Sequence, residues 1–489
     1  MTIQEMIAAR RAEPWREDLR KNKKNKERTD IPRVHMNELD PEYRSHNNEE
    51  VNLGLTSEQA MQEAQRCLDC PNPTCMNGCP VSINIPTFVK YIEVGDFLNA
   101  AKTLKETSAL PAVCGRVCPQ EKQCEAQCIH IKMKKEPVAI GYLERFAADY
   151  ERESGQVSVP EVAAPNHIKI AVVGSGPAGL SFAGDMAKYG YDVTVFEALH
   201  EIGGVLKYGI PEFRLPNQIV DVEIDSLRKM GVKFVNNCIV GKTISYEDLH
   251  DDGFKGVFAA SGAGLPNFMN IPGENLIGVM SSNEYLTRVN LMDAANPESD
   301  TPVLIGKNVA VIGGGNTAMD SVRTARRLGA ERAMIVYRRS EEEMPARIEE
   351  VKHAKEEGIE FMTLHNPIEY IGDENGRVKQ MLLQKMTLGE PDASGRRRPV
   401  AIEGAIDTID VDEVIVSVGV SPNPLIPSTF KGLEVSRWGT IIVNEDTMQS
   451  ALSDVYAGGD IVRGGATVIL AMGDGRKAAA AMHDALLKS

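Results

Sequence analysis

The sequence predicts an α/β protein with two Rossmann-like, doubly wound sheets, preceded by an α-helical, cysteine-rich domain. Two observations predict the sheets: a strand–glycine loop–helix–strand pattern begins at Ile168 and recurs from about residue 307. The helical domain is predicted because eight of the nine cysteines precede residue 130 and no strand-like alternation appears before residue 168.

Length and charge narrow the possible functions. A chain of 489 residues is long enough for about three domains. Its net charge of -15 argues against nucleic acid as a general partner. The sequence lacks an apolar run of the ~20 residues that a membrane span needs, and its N-terminus lacks the apolar region of a secretory signal. We therefore expect a cytoplasmic protein that binds neither nucleic acid nor membranes.

One stretch differs from the acidic background: Arg20 to Arg28 reads RKNKKNKER. We expect it to be a solvated or mobile segment, and the alternative is a docking contact to an acidic partner subunit. Further along the helical domain, Thr56 precedes a helix-like run, and a second helix is predicted over roughly Ile85 to Glu93. Residues 154–166 contain two prolines and a glycine and are the expected linker.

The first glycine loop has the form Gly174-x-Gly176-x-x-Gly179, between a buried strand and a helix. Such glycines allow a tight turn, a close approach to a pyrophosphate, and close packing of helix on strand. Glu197 ends the next strand, where a carboxylate can accept a hydrogen bond from a ribose hydroxyl. These features together predict a dinucleotide site.

The second loop, Gly313-x-Gly315-x-x-Ala318, repeats the pattern, but its second strand ends in Arg338-Arg339 instead of an acid. Two guanidinium groups at this position suit the 2′-phosphate of NADP and leave no carboxylate for the ribose of NAD. Surface arginines at a strand end are the alternative interpretation. We expect NADPH to be preferred over NADH.

The cysteines form two short runs. The first reads C-x2-C-x4-C-x3-C-P and the second C-x3-C-P-x4-C-x3-C, with these members: Cys67, Cys70, Cys75, Cys79, Cys114, Cys118, Cys124 and Cys128. Eight thiolates suffice for two 4Fe-4S clusters, and a proline after the last cysteine is typical of bacterial ferredoxins. Structural disulfides and two zinc sites are the alternatives, although only Cys67–Cys70 has the C-x2-C spacing of a zinc knuckle.

Residues 168 to 489 resemble the flavoprotein disulfide and ferredoxin reductases. The resemblance rests on Gly458-Gly459-Asp460 near the C-terminus and on Gly203-Gly204 followed by LKYGIPEFRLP. With the N-terminal domain included, the chain resembles the small (beta) subunit of NADPH-dependent glutamate synthase, and CGRVCPQEKQCEAQC is specific to that group. Related proteins are the N-terminal half of dihydropyrimidine dehydrogenase and the large subunit of a bifurcating ferredoxin:NADP oxidoreductase, or sulfide dehydrogenase.

The resemblance implies which residues hold the cofactors. FAD would contact Gly174, Gly176, Pro177, Ala178, Gly179, Glu197, Gly203, Gly204, Leu206, Gly458, Gly459, Asp460 and Thr467. NADPH would contact Gly313, Gly314, Gly315, Asn316, Thr317, Ala318, Arg338 and Arg339.

The resemblance also implies that cluster ligands cross between the two runs. One cluster would take Cys67, Cys70, Cys75 and Cys128, and the other Cys79, Cys118 and Cys124. The fourth ligand of the second cluster is either Glu144, which we favour, or Cys114.

The implied domains are a helical two-cluster domain (1–165), an FAD domain (166–300 plus 445–489) and an inserted NADPH domain (301–444). The implied activity is electron transfer from NADPH through FAD and two clusters to a partner. That partner would be an FMN-bearing large subunit that makes L-glutamate from L-glutamine and 2-oxoglutarate, or another acceptor subunit, in a hetero- or homo-oligomer. The alternatives are the bifurcating or sulfide dehydrogenase subunit and, more distantly, a non-enzymatic iron–sulfur scaffold.

Overall fold

The computed structural model describes residues 3–488. Its first part is helical, as predicted, and includes two very short strands that the sequence pattern did not indicate. In chain order the elements are α1 (Ile3–Arg11), α2 (Pro14–Asn22), α3 (Asn25–Asp30), β1 (Asn37–Glu38), α4 (Pro41–Arg44), β2 (Asn52–Gly54), α5 (Ser57–Ala64), α6 (Thr74–Asn77), α7 (Ile85–Glu93), α8 (Phe97–Lys105), α9 (Pro111–Val117), α10 (Ile129–Lys132) and α11 (Ile140–Glu153).

Two helix predictions in this part are confirmed. Thr56 is the N-cap of α5, where its side chain accepts a hydrogen bond from the Gln59 backbone N–H. Helix α7 has the predicted bounds, and both Phe88 and Ile92 are fully buried. The spacing of Phe88 and Ile92 was therefore a sufficient signal for the helix, although eight of its nine residues are buried.

The expectation of a mobile basic segment is wrong for its arginines. Residues 20–28 belong mostly to α2 and α3. Arg20 Nη1 lies 2.5 Å from a carboxylate oxygen of the buried Asp69, and the buried Arg28 pairs with Glu93 at 2.9 Å. An arginine can be buried when it is paired with a carboxylate. The positive charges in the sequence therefore did not show which of these cations face inward.

The first doubly wound sheet follows the linker. Its elements begin with β3 (Lys169–Val173), α12 (Pro177–Lys188), β4 (Asp192–Phe196), α13 (Val205–Tyr208), α14 (Asn217–Lys229), β5 (Lys233–Val235), α15 (Tyr246–Asp251), β6 (Phe254–Ala259) and β7 (Leu265–Pro266). The chain then enters the second unit with β8 (Val279–Ser281), α16 (Ser282–Leu286), β9 (Asn308–Ile312), α17 (Asn316–Arg327), β10 (Arg332–Tyr337), α18 (Ile348–Glu356) and β11 (Glu360–Thr363).

An antiparallel sheet extends the second unit before the chain returns to the first. It consists of β12 (His365–Gly372), β13 (Val378–Pro391) and β14 (Arg397–Asp410), and the remaining elements are β15 (Glu413–Val416), β16 (Val420–Ser421), α19 (Leu425–Thr429), β17 (Val455–Ala457), α20 (Asp460–Arg463) and α21 (Val468–Leu486).

Both five-stranded sheets are parallel. The first has the order β17-β6-β3-β4-β5 and the second β11-β10-β9-β15-β8. Strand β8 therefore belongs to the second sheet, although residues 279–281 precede the predicted boundary at 300/301. This strand has only three residues and half-buried side chains, so it carried no buried-strand pattern.

Candidate functional site

The first glycine loop connects β3 to α12 and has the geometry of a phosphate-binding turn. Gly174 has φ +101°, and a Cβ there would lie 2.5 Å from the Ala260 carbonyl oxygen. A Cβ on Gly179 would lie 2.0 Å from the Gly174 carbonyl oxygen, whereas a Cβ on Gly176 would meet nothing within 4 Å. The first and third glycines are thus required by packing, and the second leaves open space where a pyrophosphate can approach the backbone.

Glu197 follows β4 and is buried beside this loop. Its Oε2 accepts hydrogen bonds from the backbone N–H and the hydroxyl of Ser175, and its Oε1 accepts one from the Leu199 N–H. Because an ionised carboxylate has about four acceptor sites, one remains for a ribose hydroxyl. Ser175 was missed by the sequence analysis, since a serine between two glycines carries no distinctive signal.

The remaining residues proposed for FAD converge on the same loop. A Cβ on Gly204 would lie 3.0 Å from the Gly176 Cα, and a Cβ on Gly459 would lie 3.0 Å from the Ala178 Cβ. Leu206 is fully buried in α13, and Pro177 occupies the first turn of α12. The segments 203–206 and 458–460 therefore border the glycine loop, although they are distant in sequence.

The C-terminal segment contains a buried carboxylate, Asp474, whose hydrogen bonds the sequence analysis missed. The Gly459 N–H donates to Asp474 Oδ2 at 3.0 Å, and Arg463 donates to both oxygens of the same carboxylate. Burial raises the pKa of the nearby Asp460 to about 6. Thr467 caps α21 by accepting from the Leu470 N–H at 3.4 Å. Asp474 lies inside the helix, so no terminal motif pointed to it.

The second glycine loop connects β9 to α17. Gly313 has φ +146°, and a Cβ there would lie 2.3 Å from the Ser417 carbonyl oxygen; a Cβ on Gly314 would lie 2.8 Å from the Tyr337 ring. Nothing lies closer to a Cβ on Gly315 than Pro345, at 4.0 Å. This loop is as constrained as the first. The second glycine of its motif, Gly315, again faces free space.

The residues after this loop begin α17. Asn316 Oδ1 accepts a hydrogen bond from the Arg347 N–H at 2.9 Å, which fixes the segment after β10 to the loop. The Thr317 carbonyl oxygen accepts from Ser321, and Ala318 is fully buried.

The arginine pair at the end of β10 divides into two environments. Arg338 is exposed, whereas Arg339 is 7% exposed. Arg339 donates to a carboxylate oxygen of Asp392 and to the Arg397 carbonyl oxygen, both at 2.8 Å. Asp392 and Arg397 belong to the β13–β14 hairpin, so Arg339 ties that hairpin to the edge of the nucleotide site. Arg338 forms no ion pair with any residue in 3–488.

The first set of thiols comes from both cysteine runs. Cys67, Cys70, Cys75 and Cys128 line one cavity together with apolar side chains such as Ile85 and Val138. Burial raises the pKa of the Cys70 thiol to about 11, with a further contribution from the neighbouring Cys67 and Cys128. Four thiols around one cavity with apolar walls fit a 4Fe-4S cluster, because iron replaces the thiol protons when it binds.

The second set contains Cys79, Cys118, Cys124 and the carboxyl group of Glu144. Burial raises the pKa of Cys79 to about 12, with Glu144 and Cys118 close enough to contribute. Glu144 is buried, and its Oε1 has no hydrogen-bond partner among the described residues. Burial, followed by the charge of Glu223, raises the pKa of Glu144 to about 8. An orphaned buried oxygen beside three thiols fits a ligand position.

Cys114 lies on α9, one turn before Cys118, and its thiol also belongs to these surroundings. Its hydrogen bond with Cys118, followed by burial, raises the pKa of Cys114, with Glu144 and Cys79 close enough to contribute. Its Sγ lies 3.5 Å from the Met472 Sδ on α21. All nine cysteines are unpaired. The structure therefore does not contain the disulfide bonds of the alternative interpretation.

The second thiol set lies directly against the segment proposed to bind FAD. Gln123, next to Cys124, donates to the Thr467 hydroxyl at 3.5 Å. A Cβ on Gly473 would lie 3.1 Å from both the Cβ and the carbonyl oxygen of Pro80, the residue after Cys79. Helix α21 therefore contacts both cysteine runs, and its N-terminal end lies at the glycine loop.

Comparison with known proteins identifies the two parts of the chain. Residues 44–156 match the family model described as dihydropyrimidine dehydrogenase domain II, 4Fe-4S cluster, and residues 168–475 match pyridine nucleotide-disulphide oxidoreductase. The chain is 36% identical over 440 residues to the glutamate synthase (NADPH) small chain of Azospirillum brasilense, covering 89% of this chain and 90% of that one.

Two further relatives show how widely the fold is used. The NADP(+)-dependent formate dehydrogenase subunit beta of Moorella thermoacetica is 37% identical over 436 residues, which cover 84% of this chain and 60% of the relative. Among solved structures, FprA of Mycobacterium tuberculosis in complex with NADPH superposes with a TM-score of 0.55 and 20% identity, covering 66% of this chain and 85% of that one. This last likeness shows the fold alone.

No helix within residues 3–488 is long and apolar enough to cross a membrane. The matched families and relatives show an NADPH-dependent oxidoreductase with FAD and 4Fe-4S iron–sulfur as cofactors. The chain thus belongs to the pyridine nucleotide-disulphide oxidoreductases and, among them, to the family of the glutamate synthase (NADPH) small chain.

Proposed function

We propose that this chain is an electron-input subunit that takes electrons from NADPH and delivers them, through FAD and two 4Fe-4S clusters, to an acceptor protein. The observation that carries the proposal is the contact between the second thiol set and the FAD segment, through Gln123–Thr467 and Pro80–Gly473. A flavin site and a cluster site in van der Waals contact suit electron transfer, whereas a storage or scaffolding role would not require the contact.

The bound cofactors supply the redox chemistry, since FAD exchanges a hydride with a nicotinamide and single electrons with iron–sulfur clusters. The protein positions them. The open glycines, Gly176 and Gly315, leave room for the two pyrophosphates. Arg338 provides a free cation for the 2′-phosphate, and apolar side chains form the walls around the first thiol set. No side chain is needed as a general acid or base, so none is assigned that role.

We propose an order for the two clusters. The set with Cys79, Cys118 and Cys124 would receive electrons first, because its neighbours Pro80 and Gln123 contact α21 and its N-cap Thr467. The set with Cys67, Cys70 and Cys75 would deliver them, because these three thiols are only partly buried.

The acceptor would be an FMN-bearing large chain that forms L-glutamate from L-glutamine and 2-oxoglutarate. The relative named as a formate dehydrogenase subunit favours a second candidate, another redox subunit as acceptor.

Anaerobic reconstitution tests the intramolecular part of this proposal. The chain should bind about eight irons, and NADPH should bleach the flavin absorbance and produce the electron paramagnetic resonance signal of reduced clusters. Bleaching of the flavin without any cluster signal would contradict the proposed route. Affinity purification from the native organism would identify the acceptor, and formation of glutamate from glutamine by this chain without any partner would overturn the role of an input subunit.

A further inference from the structure

Four exposed lysines lie together on the helical domain: Lys24, Lys26, Lys132 and Lys134, which we call the lysine surface. Two belong to the region of α3 and two to α10 and the turn after it. Lys135 joins the two segments, because its Nζ donates to the Thr29 carbonyl oxygen at 2.6 Å and to Asp30 Oδ1 at 2.8 Å. None of the four lysines forms an ion pair with a residue in 3–488.

The lysine surface adjoins the first thiol set. Cys128, Ile129 and His130 line the thiol cavity, and Ile129 begins the helix that ends at Lys132. Between the lysines, Ile131 is 46% exposed and Met133 is 45% exposed. Exposed apolar side chains ringed by charges are typical of a surface that contacts another protein.

The local charge has the opposite sign to that of the whole chain. The exposed anions nearby are Glu27, Asp30 and Glu136, and Asp30 is already paired with Lys135. Six lysines, counting the half-buried Lys23 and Lys135, therefore face three carboxylates, on a chain with a net charge of -15. The arginines of the same segment are turned inward to Asp69 and Glu93, so the four exposed lysines take no part in these buried ion pairs.

We propose that the lysine surface is the docking site for an acidic electron-acceptor protein, which approaches with clustered carboxylates around its own redox centre. The inference rests on the proposed function, in which the adjacent thiol set is the one that delivers electrons. Lysines at this position attract such an acceptor, and Ile131 and Met133 give it an apolar contact beside the cluster. An acidic acceptor would be repelled elsewhere on the surface, so the site also fixes its orientation.

The sign of the salt dependence tests the proposal. The holoenzyme would be assayed anaerobically with NADPH and two haem proteins as probes: cytochrome b5, which is acidic, and cytochrome c, which is basic. Attraction to the lysine surface predicts that reduction of cytochrome b5 slows about tenfold when the ionic strength rises from about 0.02 M to about 0.2 M. Repulsion by the net charge of the whole chain predicts that it accelerates, and that result would overturn the proposal.

A pair of charge-matched variants isolates the surface. One reverses its four lysines to Glu; the other reverses four exposed lysines outside the helical domain, Lys229, Lys242, Lys255 and Lys431. Both variants have the same formal net charge. We expect only the first to lose the tenfold salt effect and to reduce cytochrome b5 at least tenfold more slowly. Equal rates in the two variants would overturn the proposal.

Three further readouts separate this proposal from the proposed function. Flavin bleaching by NADPH, the signal of the reduced clusters and reduction of a small neutral quinone should be the same in both variants and the wild type. If these three readouts are normal, but the lysine variant reduces cytochrome b5 at the same rate as the control variant, only the proposed docking site is wrong. If the clusters are not reduced even in the wild type, the proposed route itself fails.

Discussion

At the scale of single residues, the open question is which side chain completes the second cluster. The structure places an unpartnered Glu144 oxygen beside the three thiols, whereas the Cys114 thiol already has partners in Cys118 and Met472. We therefore predict that Glu144→Ala loses about half of the bound iron, while Cys114→Ala retains all of it. Iron content per chain and the resonance spectrum of the reduced protein measure this directly.

Glu144→Gln is the matched control, because it keeps the shape and one oxygen but not the charge. It should retain iron and change the potential of the cluster, because a neutral amide ligand contributes one negative charge fewer to the cluster than a carboxylate does. Loss of iron in Cys114→Ala with full occupancy in Glu144→Ala would reverse the assignment.

The two arginines at the end of β10 should have different roles. Arg338→Ala removes the exposed cation, and because a charge-assisted hydrogen bond contributes about 1.5–3 kcal/mol, the KM for NADPH should rise about 10- to 100-fold. The rate of flavin reduction at saturation and the kinetics with NADH should change little. Stopped-flow measurements with both nucleotides would show the loss of preference.

Arg339 should act through the hairpin instead. Arg339→Ala and Asp392→Ala each break the same 2.8 Å pair, so we predict that they weaken NADPH binding to a similar extent. If Asp392→Ala is silent while Arg339→Ala resembles Arg338→Ala, Arg339 contacts the phosphate itself and the tether is incidental.

At the scale of elements, the start of β15 is held by a buried carboxylate. Glu413 Oε2 accepts from the Gly306 N–H at 2.8 Å, and Oε1 has no partner among the described residues. Burial raises the pKa of Glu413 from 4.5 to about 7. A folded-state pKa above the unfolded one means that the stabilisation is complete below pH 4.5 and is lost as pH rises through 7.

Glu413→Gln removes this dependence because the amide does not ionise. Relative to wild type, the variant should gain about 2–3 kcal/mol in the free energy of unfolding between pH 4.5 and pH 8. Thermal unfolding across that range checks the trend, with the exposed Glu403→Gln as control. An identical pH profile for wild type and Glu413→Gln would show that the carboxylate is solvated.

Elements with a strong local signal were predictable, and those that depend on distant contacts were not. Helix α7 and both glycine loops follow from amphipathic spacing and from turns that only glycine permits. Strand β8 has three residues and exists because β15 pairs with it. The tether of Arg339 to the β13–β14 hairpin was likewise invisible, since the partners lie 53 residues apart.

At the scale of the whole molecule, the helical domain is joined to the second nucleotide-binding unit through two cationic side chains. Arg347 donates to the Arg116 carbonyl oxygen of α9, and Lys122 donates to the Pro345 and Ala346 carbonyl oxygens. Such contacts fix the cluster domain to the second unit as well as to the first. The route from nicotinamide to cluster therefore depends on interfaces between units and not on any one of them.

The most buried of these contacts is centred on Glu357 of the second unit. Desolvation opposes its charge, but Arg323 and Arg327 outweigh that cost and hold its pKa at about 2. Arg323 and Arg327 come from α17, whereas Arg44 comes from α4 of the helical domain, with its Nε 3.1 Å from Glu357 Oε1 and its Nη2 2.6 Å from Glu356.

Replacing Arg44 with Met should loosen the helical domain from the second unit without unfolding either. Breaking a buried ion pair costs about 3–5 kcal/mol, and Glu357 keeps two other arginines, so we expect a loss near the lower end. Hydrogen exchange of the holoenzyme should then accelerate at least about tenfold in α4 and α18 but not in α12. Lys352→Met is the control, because Lys352 contacts Glu38 and Glu356 from the exposed side, where ion pairs contribute little. Unchanged exchange in Arg44→Met would mean that apolar packing alone holds the interface, and equal acceleration in both variants would mean that surface charge, not the buried pair, joins the units.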